Sequence, residues 1–189
     1  GYTSIGKLEI NPGGSSTISF SVPQSGDYKI AFHDTSAPEM YGTSGIYLTS
    51  FSIAPGEEGG DTPQGVAVPY DYTFSSTTFD EGWSKYNANG DSYEWSATSN
   101  YVYSYLGYYG YGTESSDDYL FSPLFSLEAG TNYVITVNMP DNNPYMNEQT
   151  NVDVMFGTSN DGSGYTSIGK LEINPGGSSS ISFSVPQSG

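Results

Sequence analysis

Residues 17–23 read TISFSVP, and residues 180–186 read SISFSVP. In the first stretch Ile18, Phe20 and Val22 alternate with serine and threonine, and a proline ends the run. Strict alternation turns every second side chain to the same side, which is the pattern of a β-strand with one buried and one solvated face. The stretch therefore predicts a β-strand, and the chain contains it twice.

The duplication extends well beyond this strand. Residues 1–26 and 164–189 differ at one position of 26, Thr17 against Ser180. One period of the repeat therefore spans residues 1–163. An ancient duplication would have diverged further, so the pattern indicates a tandem array of near-identical units, sampled slightly beyond one period. A period of this length is sufficient to bury the core of a domain.

Similar alternation recurs along the chain, in runs bounded by Gly, Pro, Asn and Asp. The clearest further runs are DYKIAFHD at 27–34, GIYLTSFSIAP at 45–55, NYVITVNM at 132–139 and NVDVMFG at 151–157. Many short amphipathic strands separated by turn residues are typical of two packed antiparallel sheets. We therefore expect an all-β protein with an antiparallel β-sandwich, tandemly repeated.

The composition restricts the possible partners. Asp and Glu number 21 against four Lys and no Arg, which gives a net charge of −17, and cysteine is absent. Such a surface repels nucleic acid and anionic lipid, and it attracts divalent cations. We expect no nucleic-acid partner, no membrane insertion and no disulfide framework.

The stretch at 55–69, PGEEGGDTPQGVAVP, has the composition of a linker. A boundary there makes residues 1–60 the C-terminal part of one repeat's β-sandwich. Residues 61–189 then form the N-terminal two-thirds of the next, whose missing strands would resemble residues 27–60. The two copies of the duplicated segment would compete for one place in a single domain. We therefore expect the two parts to lie in different sandwiches, joined head to tail.

Four stretches carry a resemblance to a known family: FDEGWSKYNANGDSYEW at 79–95, DDYLFSPLFSLEAGTNYVITVNM at 117–139, VMFGTSNDG at 154–162, and residues 20–53, which include SGDYKIAFHD. In natural order the unit resembles the choice-of-anchor J, or cleaved-adhesin, domains of secreted Bacteroidota surface proteins, which are MAM-like. The resemblance implies a jelly-roll module of surface adhesins, often with structural calcium.

One loop has the residue types of a calcium site. Asn87, Asn89 and Asp91 stand at alternate positions beside Gly90, and calcium prefers six to eight oxygen ligands from such side chains on a tight loop. The predicted ligands, which include two acids close by in sequence, are Asp80, Glu81, Asn87, Asn89 and Asp91. The alternative is an Asx-rich turn without metal. A weaker acidic cluster comprises Glu114, Asp117 and Asp118.

The run YVYSYLGYYGYG at 101–112 is the most distinctive feature. In a strand, Val102 and Leu106 would face the core, and the tyrosines would be exposed on the other face. The predicted contact residues are Tyr101, Tyr103, Tyr105, Tyr108, Tyr109 and Tyr111. Such a row stacks on sugar rings, packs against another subunit, or forms a cross-strand ladder that only stabilises the sheet.

Catalytic machinery is not indicated. His33 is the single histidine, and its strand places it on the face opposite Tyr28, Ile30 and Phe32. Adjacent acids such as Glu57 and Glu58 are expected by coincidence in so acidic a chain, and the same holds for the pair at 117–118. We therefore predict that the protein is not an enzyme.

These observations predict a structural subunit of an extracellular or cell-surface fibre or adhesin stalk. Its partners would be neighbouring copies of itself, because near-identical repeats provide identical interfaces. The alternative is a carbohydrate-binding module that uses the exposed tyrosines to bind glycans.

Overall fold

The computed structural model describes residues 7–10, 15–37, 43–55, 66–107, 115–139 and 150–173. All regular elements in these ranges are strands, and none of the described residues forms a helix able to cross a membrane. In chain order the strands are β1 (Lys7–Ile10), β2 (Ser15–Phe20), β3 (Gly26–Asp34), β4 (Thr43–Leu48), β5 (Ser50–Pro55), β6 (Tyr70–Thr73), β7 (Ser84–Asn87), β8 (Ser96–Ala97), β9 (Val102–Gly107), β10 (Asp118–Leu127), β11 (Tyr133–Asn138), β12 (Val152–Gly157) and β13 (Thr166–Ile173).

The described strands form three sheets. The largest has the order β1-β13-β12-β3-β10-β7, the second β2-β11-β5-β6 and the smallest β4-β9-β8. Neighbouring strands are antiparallel except β1 and β13, which are parallel. The prediction of an all-β chain with antiparallel sheets is confirmed.

The two larger sheets pack face to face and enclose the main core. Phe51 of β5 meets Phe32 of β3 edge-on at 6.1 Å between ring centroids, and it stacks on Phe125 of β10 at 5.9 Å. The alternating residues that the sequence places on one face, such as Ile30 in β3 and Ile135 in β11, are buried in this layer. The arrangement is a β-sandwich, because each sheet covers the apolar face of the other.

The small sheet contributes to the same core. Ile46, Leu48 and Val102 are fully buried among the residues of the sandwich. A buried hydrogen bond of 2.5 Å from Ser104 Oγ in β9 to Asp34 Oδ2 in β3 joins the small sheet to the largest one. The three sheets therefore share one continuous core.

Strands from both sides of the expected boundary share these sheets. β2 pairs with β11, β3 with β10 and β4 with β9, so residues 1–60 and 61–189 complete one sandwich in this chain. The expectation of separate sandwiches is wrong for this chain, because β9, β10 and β11 need partners for their backbone groups and apolar faces. β4 provides the partner of β9, β3 that of β10, and β2 and β5 those of β11. Residues 56–65 of the expected linker lie outside the described residues. The assignment of the two parts to successive repeats stays a prediction.

The duplicated segment is divided between the sheets. The second copy supplies β13, which pairs with β12, whereas the first copy supplies β2 in the opposite sheet. The first copy also supplies β1, which pairs with β13 in parallel, Lys7 opposite Lys170 and Ile10 opposite Ile173. Both copies of this strand are therefore present in one sheet, with β13 of the second copy paired on both sides and β1 of the first copy added at the edge. The rest of the second copy, residues 174–189, lies outside the described residues.

Candidate functional site

The loop that follows β7 is a compact Asx turn. Asn87 Oδ1 accepts a hydrogen bond from the Gly90 amide at 2.6 Å, and Asn87 Nδ2 donates to the Asp91 carbonyl at 2.9 Å. Asn89 Nδ2 donates to Asp91 Oδ2 and to the Ser115 carbonyl, both at 2.9 Å. Gly90 has a φ of +70°, a left-handed conformation that glycine adopts without strain. The turn chemistry expected from the sequence is present, and several of the loop's oxygen atoms already accept hydrogen bonds.

Asp118 lies beside this loop at the start of β10. Its Cα is paired with Asn87 of β7 on one side and with Asp34 of β3 on the other. The residue is fully buried, yet no donor among the described residues reaches either of its carboxylate oxygens. A buried carboxylate without a partner is costly unless a proton or a cation neutralises it.

The surroundings of Asp118 are acidic. Burial first, and then the negative charges of Asp91, Asp34, Asp117 and Glu94, together raise the pKa of its carboxyl to about 7. A carboxyl with this pKa is partly protonated near neutral pH. A bound cation would offset both the burial of a carboxylate without donors and its repulsion by the neighbouring carboxylates.

Asp34 is also a buried carboxylate, but hydrogen bonds compensate for its lost hydration. It is fully buried, and it accepts bonds from Ser104 Oγ at 2.5 Å and from the amide and hydroxyl of Ser36 at 2.9 and 2.5 Å. Burial raises the pKa of Asp34, while the bonds from the two serines act in the opposite direction. Asp34 therefore serves as a structural acceptor that holds two sheets together.

The five predicted metal ligands do not converge. Asp80 and Glu81 precede β7, whereas the loop follows it, and the four residues of that strand span about 10 Å. Asp80 instead accepts a hydrogen bond from the Tyr72 hydroxyl, and the pKa of Tyr72 is raised by burial and then by this carboxylate. Among the described residues, no three Asp, Glu or His side chains are grouped to hold a metal ion.

The residues that fit a cation in part are therefore a different set. Asp118 contributes two oxygens without partners, and Asp91 is the charged neighbour that raises the pKa of Asp118 most. The sequence marked Asp118 only as part of the weaker cluster. Glu114 of that cluster lies outside the described residues. One signal in the sequence could have identified Asp118. It is the acidic first residue of the strand DYLFSPLFSL, whose residues are mostly buried.

Tyr101 and Tyr103 form a cross-strand ladder with Tyr47 of β4. Tyr103 stacks on Tyr47 of β4, its pairing partner, at 5.5 Å between centroids and an interplanar angle of 17°. Tyr101, just before β9, meets the edge of Tyr47 at 5.0 Å, and both Tyr101 and Tyr103 are half-buried. Val102 and Leu106 face the core as expected. The Tyr105 side chain lies outside the described residues, as do Tyr108, Tyr109 and Tyr111.

His33 lies on the outer face of the largest sheet, as expected. Its ring stacks on Tyr119 at 4.0 Å, and Nε2 is 2.7 Å from Asp117 Oδ1. Asp117, predicted as part of an acidic cluster, is thus the hydrogen-bond partner of the histidine. The contacts described for His33 join β3 to the residues at the start of β10.

Protein-family models, curated proteins and solved structures were compared with the chain, and none of them matches it.

Proposed function

We propose that the chain is a structural tandem-repeat unit of a secreted fibre or adhesin stalk at the cell surface, joined head to tail with neighbouring copies. In this proposal the sandwich is a jelly-roll module of the cleaved-adhesin type. The strongly acidic surface is consistent with this role, because it keeps a crowded extracellular polymer soluble.

The observation that carries the proposal is the way one sandwich uses both copies of the duplicated segment. β13 comes from the second copy and β2 from the first, although a full period of sequence separates the two copies. In an array, each unit would draw its closing strands from the chain that continues beyond its own β13. Successive units would then be connected without a free linker domain, as a stalk requires.

Electron microscopy of a chain with several repeats tests this function. We expect straight or gently curved rods whose length increases by a constant step with each added period. Independent beads on flexible tethers would contradict the proposal, because unconnected modules diffuse about their linkers.

Calcium is proposed as a structural ion of this unit, and the partnerless oxygens of Asp118 support it. Asp118 and Asp91 would hold the ion together with amide or carbonyl oxygens of the 87–91 loop. Bound to the folded state alone, the ion would raise the melting temperature by mass action.

The calcium proposal is tested by melting curves in excess calcium and in excess chelator. We expect the chelator to lower the melting temperature of the wild type and of the control Asp71→Asn, whose side chain is exposed on β6. The chelator should have no effect on Asp118→Asn. Equal melting of the wild type in both solutions would exclude a structural calcium ion.

A carbohydrate-binding module is the second candidate. The half-buried rings of Tyr47, Tyr101 and Tyr103 lie side by side, and ring faces of this kind stack on sugars. Binding to soluble polysaccharides that is lost in Tyr103→Ala, with the fold intact, would favour this candidate. Unchanged retention of the variant on every polysaccharide that the wild type binds would eliminate it.

A further inference from the structure

The outer edge of β13 is a strand-binding site. β13 pairs with β12 on its inner side, where Val152 lies opposite Leu171. On its outer side it pairs with β1, which occupies the end of the sheet. Without β1, this edge would present unpaired backbone N–H and C=O groups, which readily accept a strand from another chain.

The strand that occupies this site has the same sequence as the site. Lys7 to Ile10 and Lys170 to Ile173 both read KLEI, and the parallel pairing places each residue opposite its own copy. The backbone hydrogen bonds between two strands depend on strand direction and register. Both are the same whether β1 comes from the same chain or from another molecule. Any other copy of the chain therefore carries a fully equivalent donor.

We infer that the outer edge of β13 is an acceptor for the Lys7–Ile10 strand of a second copy of this chain, so that copies join by exchanging β1. The inference names the contact between subunits and in that sense rests on the proposed fibre function. Donor and acceptor are different surfaces, so the contact is heterologous and propagates head to tail unless its rotation closes a ring. At low concentration the intramolecular pairing prevails, since its effective concentration is higher.

Cysteine cross-linking provides the test, because the chain has no cysteine of its own. Glu9→Cys and Glu172→Cys are made as separate single variants, and the two are refolded together at high protein concentration under mild oxidation. Residues 9 and 172 are register partners, so a disulfide between them is compatible with adjacent strands. Each chain has a single cysteine, so every disulfide in this mixture joins two molecules.

The matched control combines Glu9→Cys with Lys170→Cys. Residue 170 is displaced from residue 172 by two positions along β13, which puts its Cα about 8 Å from that of residue 9, beyond the reach of a disulfide. We expect the 9–172 link between chains to exceed the 9–170 link by about tenfold. Equal yields of the two links, or monomers alone, would overturn the inference.

The double variant Glu9→Cys/Glu172→Cys separates this inference from the proposed function. A disulfide inside that variant, without any 9–172 link between the single variants, refutes strand exchange and leaves the fibre to be decided by microscopy. Failure of both disulfides refutes the pairing of β1 with β13 and the inference with it. Rods that fail to form, with the 9–172 link between chains present, refute the fibre and retain the exchange.

Discussion

Two buried aspartates on neighbouring strands show how far a single residue's environment depends on its partners. Asp34 and Asp118 face each other across β3 and β10, and both are fully buried. Asp34 accepts three hydrogen bonds, whereas Asp118 accepts none from the described residues. The Asp34 carboxylate therefore stabilises the junction of two sheets, whereas no described donor compensates the Asp118 carboxylate.

Removal of one donor to Asp34 should destabilise the protein. Ser104→Ala deletes the 2.5 Å bond and leaves the acceptor buried, which we expect to lower the free energy of unfolding by about 1.5–3 kcal/mol. The control is Ser96→Ala on the adjacent β8, where a partly exposed hydroxyl is lost and the change should stay within about 0.5 kcal/mol. Urea unfolding measures both, and equal losses would contradict the role of Asp34.

Asp118 predicts a pH dependence of stability. Its pKa of about 7 in the folded state lies above the ordinary value of 3.8, so the folded protein retains a proton that the unfolded chain releases between these values. The contribution of Asp118 to stability is therefore complete below about pH 4 and is lost as the pH rises through 7.

Asp118→Asn removes this dependence. In chelator at pH 8, we expect the variant to exceed the wild type in free energy of unfolding by about 1–3 kcal/mol, because the amide is still buried and polar but carries no uncompensated charge. Near pH 4 the two proteins should differ least. Denaturant titrations from pH 4 to 8 measure the difference, and a constant difference across this range would show that Asp118 does not titrate as described.

At the scale of elements, pairing converts the alternation of each strand into contacts between strands. β9 turns Val102 and Leu106 into the core, whereas Tyr103 is only partly buried, as the sequence predicts. The partner of Tyr103 is decided by the antiparallel register with β4, which brings Tyr47 opposite. The stacked tyrosines therefore come from two strands, β4 and β9.

A double-mutant cycle measures this ladder. Tyr47→Ala, Tyr103→Ala and the combined variant should reveal a coupling of about 0.5–1.5 kcal/mol, the value of a stacked aromatic pair. The control cycle combines Tyr103→Ala with Tyr28→Ala, whose ring instead contacts Phe156, and should show additivity within about 0.5 kcal/mol. An additive cycle for the first pair would mean that the stacking contributes nothing to stability.

At the scale of the whole molecule, the sandwich closes around the duplicated segment. Strands β2 to β5 precede the expected linker, β6 to β13 follow it, and both groups form the same core. Among the described strands, β1 is the one that repeats a strand already present in its sheet. The chain could therefore connect the same strands in a different order.

A permuted chain tests this arrangement. Residues 61–189 followed directly by residues 27–60 form one complete period, with the duplicated segment present once. We expect cooperative unfolding and a strand-type far-ultraviolet spectrum equal to that of the parent. A parallel chain that also lacks its last segment, 51–60, loses most of β5 from the second sheet and should not fold. A permuted chain that does not fold would show that the duplicated segment is needed twice.

Much of the local structure is predictable from the sequence. The alternating runs predict the strands around Ile18, Ile30, Ile135 and Val154, and all four residues are buried. Local alternation is sufficient here, because the period of the strand alone decides which side chains share a face. The loop at 87–91 is also predictable as a turn, since its Asx and glycine residues act on their own neighbours.

The sequence by itself determined the all-β class, the faces of the strands, the acidic surface and the near-identity of segments 1–26 and 164–189. The tertiary structure alone decided which strands pair. It joined Asp34 to Ser104 across 70 positions, left Asp118 without a donor among the described residues and separated Asp80 from the 87–91 loop. The physical reason is that backbone pairing is indifferent to side-chain identity, so many registers satisfy one strand's alternation. Only simultaneous burial of all the apolar faces in one core selects among them.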